Sequence, residues 1–209
     1  MKSCFVFAVL VSLFVSFSHA YSQGIFLDKG EFGFFADGDY TSLESGHAYS
    51  FSGGVAFGGI LEIGFASTNS NIEVDNYYYS NDIEVSSKTF LIGAVLIKKK
   101  AQLEVNLGFT TSDEGGDAVM VGFNVGSEFV LHEKISWYPI FSFTVGISLE
   151  KNSGNPVTAL GFTVPFLISN HVYLGPSFGL SESNFSWGVT GGIIISFDIG
   201  STGGWGNSN

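Results

Sequence analysis

From Ile135 to Leu149 the chain reads ISWYPIFSFTVGISL, and its alternate positions sort into two different surfaces. The odd positions are Ile135, Trp137, Pro139, Phe141, Phe143, Val145, Ile147 and Leu149; the even ones are Ser136, Tyr138, Ile140, Ser142, Thr144, Gly146 and Ser148. Successive side chains of a strand point to opposite faces, so a period of two held this long specifies one strand with a bulky apolar face and a smaller, more polar one. The pattern recurs twice downstream. Val172, Leu174, Pro176, Phe178 and Leu180 oppose Tyr173, Gly175, Ser177 and Gly179, and Phe185 to Phe197 repeats the scheme with Trp187, Val189, Ile193 and Ile195 on its apolar side.

Extending this reading outward predicts ten strands, at about 30–37, 48–57, 60–68, 86–97, 101–111, 117–131, 135–149, 157–168, 171–182 and 185–198. The strand at 86–97 is apolar on both faces, and eight strands is the alternative count. The connections alternate in length. Gly58-Gly59, Lys98-Lys99-Lys100, His132-Glu133-Lys134 and Ser169-Asn170 are tight, whereas 38–47, 69–85, 112–116, 150–156 and Ser183-Asn184 are mostly longer and richer in Asp, Asn, Ser and Gly. Tight turns at one end and longer polar loops at the other fit an antiparallel, up-and-down barrel, and an even strand number brings both termini to the tight-turn end.

Which face looks outward follows from the polar face. Exposed to water, it would carry many Lys and Glu. It carries mainly Gly, Ser, Thr and Asn, groups suited to a narrow hydrated interior, while the opposite face is aromatic and branched, as lipid contact allows. Charged residues are only 13% of the chain and aromatics 16%, an unusual balance for a water-exposed surface. Rings gather near strand ends, Phe57, Phe129, Trp137 and Phe197 toward the tight turns and Tyr49, Phe109, Phe185 and Trp187 toward the loops, as two interfacial girdles would. The expected fold is therefore an all-β, transmembrane β-barrel of about ten strands.

With these features the chain resembles the small outer-membrane β-barrel proteins of Gram-negative-type bacteria. The segment Thr190-Gly191-Gly192-Ile193-Ile194-Ile195-Ser196-Phe197 is similar to the last-strand signal read by the barrel assembly machinery, with Thr190, Gly192, Ile195 and Phe197 as its elements. Many members of the class end on that aromatic residue, whereas here residues 198–209 follow. The resemblance implies outer-membrane lipid and the assembly machinery as partners.

The N-terminus fits export. Lys2 precedes an apolar run from Phe5 to Phe17, and Ser18-His19-Ala20 places small residues at a cleavage site. The run is shorter than the ~20 apolar residues that span a bilayer. The expected organisation is a cleaved signal peptide over 1–20, a barrel over 21–198 and a periplasmic tail over 199–209. Cleavage would remove Cys4, the only cysteine, which excludes disulfides and thiolate metal sites from the mature chain. All eight basic residues are lysines against 19 acidic residues, a balance that argues against nucleic acid as a partner.

Chemistry is sparse. Asp37, Asp39 and His47 form the nearest approach to a catalytic group, a histidine beside carboxylates being what general-base activation requires. Asp-Gly-Asp also reads as a turn and His47 as a solvated loop residue, which is preferred, and no enzyme activity, cofactor or metal is expected. The acidic stretches at Asp37–Asp39 and Asp113–Asp117 offer oxygen ligands for a divalent cation but lack EF-hand spacing. The loop 69–85 carries Tyr77, Tyr78 and Tyr79, contact residues for an extracellular partner if they are exposed. Glu31, Glu62, Glu104, Glu128 and Asp198 share the inward register near the tight-turn end, with Gln102, Asn106, Asn124 and Tyr138 beside them. Such crowding calls for protonation, pairing with the turn lysines or bound cations. The expected function is a structural or surface-interaction barrel. A narrow cation-selective channel lined by the acidic ring comes second, and a hydrolase at the rim third.

Overall fold

The alternation is realised as strand in a computed structural model of the chain, which describes residue 27 and residues 31–57, 60–76, 79–98, 101–113, 116–149, 156–169, 171–181 and 184–198. The expected signal peptide and tail lie outside the described residues. Thirteen β-segments are present among them: β1 (Glu31–Leu43), β2 (Gly46–Phe57), β3 (Leu61–Asn76), β4 (Tyr79–Lys98), β5 (Ala101–Ser112), β6 (Gly116–Ser127), β7 (Phe129–His132), β8 (Ile135–Trp137), β9 (Ile140–Ser148), β10 (Val157–Thr163), β11 (Phe166–Ile168), β12 (Val172–Ser181) and β13 (Asn184–Asp198). Three traverses of the wall are broken once each, between β6 and β7, β8 and β9, and β10 and β11. The thirteen segments therefore make the ten traverses expected.

All pairings are antiparallel, and the first strand closes on the last, from Glu31↔Asp198 to Leu43↔Ser186. The ladder runs on from β1 through β2, β3, β4, β5, β6, β9, β10 and β12 back to β13, so these strands close into a ring, and β11, β8 and β7 extend it at the tight-turn end. Following the pairs at right angles to the strands from Ile135 leads through Ile168, Val172, Ile193, Ala36, Gly53, Phe65, Phe90, Phe109 and Val119 to Ile147. The path returns to its own traverse displaced from Ile135 to Ile147. That offset is the shear of a closed sheet whose strands tilt against the axis.

The breaks share a cause. Proline has no backbone N–H to give to a ladder. Pro139 and Pro165 occupy two of the breaks, and Pro176 lies in the strand next to Pro165. At each step the N–H ahead of the break turns to a proline carbonyl on the next strand: Ser127 to Pro139 at 3.2 Å, Tyr138 to Pro165 at 2.9 Å and Val164 to Pro176 at 3.0 Å. The sequence reading, which drew 117–131, 135–149 and 157–168 as unbroken strands, did not anticipate this line of offsets.

Two loops expected from sequence are mostly strand. The stretch 38–47 narrows to a turn at Glu44 and Ser45, between Leu43 and Gly46, and Asp37, Gly38 and Asp39 belong to β1 rather than to a turn. Residues 69–85 continue β3 and β4, which stay paired up to Asn76↔Tyr79. The physical reason is common to both: a strand facing a hydrated lumen or standing above the membrane is built from the same Ser, Asn, Asp and Gly as a loop.

Candidate functional site

The wall has the two faces that the sequence anticipated. Phe51, Phe65, Phe141, Trp187, Ile195 and their neighbours are exposed on the outside, while Thr41, Ser50, Thr68, Thr89, Thr110 and Thr144 are buried inside. Water on that outer surface would carry the full hydrophobic penalty; hydrocarbon does not, and closure pairs the backbone as a lipid environment demands. The chain is a transmembrane β-barrel of the outer-membrane type.

The barrel's interior is filled in layers. At the tight-turn end, Leu27, Phe35, Ala56, Leu167, Tyr173 and Ile194 form one apolar cluster and Val95, Tyr138 and Ile140 another. Phe35 reaches furthest. Its ring lies over Gly54 of β2 and Gly64 of β3, within 2.6 and 3.2 Å of where their Cβ atoms would stand. Leu91 packs on Met120 further along. These inward residues explain why the 86–97 strand is apolar on both faces: Leu91 and Val95 fill the lumen, while Ile92 and Leu96 face outward.

Of the five acidic residues expected as a ring, Glu62 and Glu104 are buried in the interior. The amide of Asn124 donates to Glu104 Oε2 at 3.0 Å, and Glu104 Oε1 and Asn106 Oδ1 converge over Gly93, each 2.6 Å from where its Cβ would be. Glu128 lies instead in the break after β6, exposed, where it accepts a hydrogen bond from Ser136 at 2.7 Å. Glu31 is half-buried at the start of β1, opposite Asp198, whose side chain is outside what is described. Gln102, Asn106, Asn124 and Tyr138 are all buried inward, as expected.

The possible catalytic group is not assembled. Asp37 and Asp39 point into the lumen, whereas His47 lies on the outer side of β2, its ring between those of Tyr40 and Tyr49 at centroid distances of 6.4 and 5.3 Å. The wall separates them. Sequence reasoning missed the burial of Asp37 and Asp39, although period two was available as a signal: they share parity with Gly33, Phe35 and Thr41. Tyr77 and Tyr78 lie outside the described residues, and Tyr79 opens β4. In the expected assembly signal, Thr190 and Gly192 face inward and Ile195 and Phe197 outward, all within β13.

No family model matches the chain, and no curated protein sequence matches it. Among solved structures it is similar to the β-domain of the Bordetella autotransporter BrkA (TM-score 0.44, 9% identity, 81% of this chain and 100% of that one). It is similar to the translocator domain of the autotransporter NalP from Neisseria meningitidis (0.44, 9%, 82% and 90%) and to the N-terminal β-barrel domain of Pseudomonas aeruginosa OprF (0.37, 7%, 81% and 100%). The barrel stands on its own strand pairing, and these distant likenesses add nothing about what it does.

Proposed function

We propose that the protein is a closed barrel that serves as a surface platform, with the β3–β4 hairpin as its extracellular contact element. The observation that carries this reading is the length of that hairpin. Its ladder continues to Asn76↔Tyr79, whereas the neighbouring pairings stop at Gly46↔Ile72 on one side and Ser87↔Ser112 on the other. At ~3.3 Å per residue, the free ribbon stands roughly 10 to 25 Å beyond its neighbours. Its outer face exposes Glu73, Asp82 and Glu84, with Glu73 directly opposite Asp82. Like charges facing each other across a strand pair are destabilising, and a cationic partner would relieve that repulsion.

The layered apolar filling of the lumen favours this reading over a conducting pore. The test is a shortened protein in which Asn-Gly replaces residues 71–84, joining the paired residues Ser70 and Val85 and removing Glu73, Asp82 and Glu84. It is expected to assemble in the outer membrane, to keep its heat-modifiable migration on gels, and to lose adhesion of whole cells to a polylysine-coated surface. Adhesion equal to that of the full-length protein would overturn the reading. So would failure of the shortened chain to refold in detergent, since the ribbon would then be part of the barrel's own stability.

A further inference from the structure

We infer that the lumen holds a binding site for a hard divalent cation of calcium size, formed by Asp37, Asp39 and the hydroxyls facing them. The two carboxylates are successive inward residues of β1, directly above Phe35 of the apolar filling, and both are buried. Asp37 accepts a hydrogen bond from Ser52 on β2 at 2.5 Å. Asp39 is placed differently: the Thr190 hydroxyl opposite it on β13 is near enough to interact with its carboxylate, but neither Asp39 oxygen is met in full hydrogen-bond geometry. Thr190 is itself almost wholly buried. By rotating, its hydroxyl could serve at most one of the Asp39 oxygens, so at least one acceptor still lacks a donor.

Among the described residues, no basic side chain faces Asp39. The chain has no arginine. Lys88 is exposed on the outer wall, Lys134 is exposed in a turn, and none of the inward positions with described side chains is basic. An uncompensated carboxylate inside a membrane-spanning segment is expensive, and such groups mark ion or substrate sites. The donors here are all oxygen: two carboxylates and neighbouring hydroxyls, from two strands. That set suits a hard cation, and its irregular arrangement suits calcium, which accepts variable geometry, better than magnesium, which demands a near-ideal octahedron and keeps its waters.

Tyr173 supplies a reporter. Its hydroxyl and the Cβ of Asp37 lie 2.6 and 2.7 Å from the point where a Cβ on Gly192 would stand, so the phenol is next to the proposed site. Terbium, a luminescent probe of calcium size, is added to the full chain folded in detergent while tyrosine is excited. Sensitised emission is expected, and calcium should displace it. Asp39→Asn should weaken calcium competition ~10-fold or more, as loss of a charged ligand does. Tyr173→Phe should dim the emission, and changing Asp113 and Asp117 to Asn, in the other acidic stretch, should leave it intact. No calcium-competed emission would overturn the site, as would a signal that follows Asp113 and Asp117 instead of Asp39. Should Asp39→Asn fail to fold, Thr190→Val removes one donor oxygen while keeping the shape; calcium affinity unchanged in that variant would overturn the site equally.

Discussion

Glycine at an inward position does different work at different places in this wall, and the difference is measurable. A Cβ on Gly54 would stand 2.2 Å from the backbone carbonyl of Ile63 and 2.6 Å from the Phe35 ring. Backbone cannot yield as a side-chain end can, so Gly54→Ala is expected to cost about 3 kcal/mol or more, or to prevent assembly. At Gly122 the nearest atoms are 3.4 to 3.8 Å away, an ordinary contact distance. There an alanine restricts the unfolded chain without a clash, and Gly122→Ala should be neutral or stabilising by about 0.5 kcal/mol. Urea unfolding of the two variants in lipid vesicles checks the contrast; equal stabilities would refute the fit of Phe35 over Gly54. Nothing in the sequence distinguished these glycines, because the distinction lies in what a ring on another strand covers. The inward direction of Glu62, Glu104 and Asn124 was legible, since parity within a strand settles it. The position of Glu128 was not, since it sits in the break itself, where the count resets.

At the scale of elements, the strands were legible wherever the outer face met lipid, because only bulky apolar residues serve there and they recur at every second position. Phe141, Phe143 and Ile147 announce β9 in this way. Legibility failed where the outer face leaves the membrane: beyond Asn69 the ribbon turns polar on its outer side, and the same chemistry that signals a loop builds a strand. It failed also at the prolines: Pro139 and Pro176 fall on the apolar face without disturbing its hydropathy, and Pro165 is buried. Their effect is on hydrogen bonding, and it concentrates along one line. Three successive offsets run across β6 to β12, whereas β3 and β4 pair without interruption from Leu61↔Ala94 to Asn76↔Tyr79. Local opening follows the weakest hydrogen bonding. Amide exchange in micelles should therefore be faster at Val130, Leu167 and Ile168 than at Phe65, Ala66 and Thr68. Equal protection in the two regions would mean that the offset bonds are as strong as the regular ladder.

For the whole molecule, the question is whether a closed wall encloses a path. Ten strands give an interior only slightly wider than the eight whose side chains fill it, so a few large residues are enough to decide. Here Phe35 and Tyr173 meet Leu27, Leu167 and Ile194 across the tight-turn end, with the buried acids Glu62 and Glu104 among the inward residues nearby. An ion leaving water for that cluster would face a narrow, largely apolar constriction, and such constrictions gate pores by excluding water. The intact protein in a planar bilayer is accordingly expected to show no unitary conductance. Truncating the cluster removes the obstacle and retains the acids: Phe35→Ala with Tyr173→Ala should open small channels that prefer cations over anions. Each truncation should cost about 3–5 kcal/mol, so the single variants are compared as well and assembly is confirmed by heat-modifiable migration. Steady unitary currents from the unaltered protein would show that the apolar layer is no barrier. Silence from a folded double variant would place the obstruction elsewhere in the lumen, and anion preference would show that Glu62 and Glu104 do not set the field along the path.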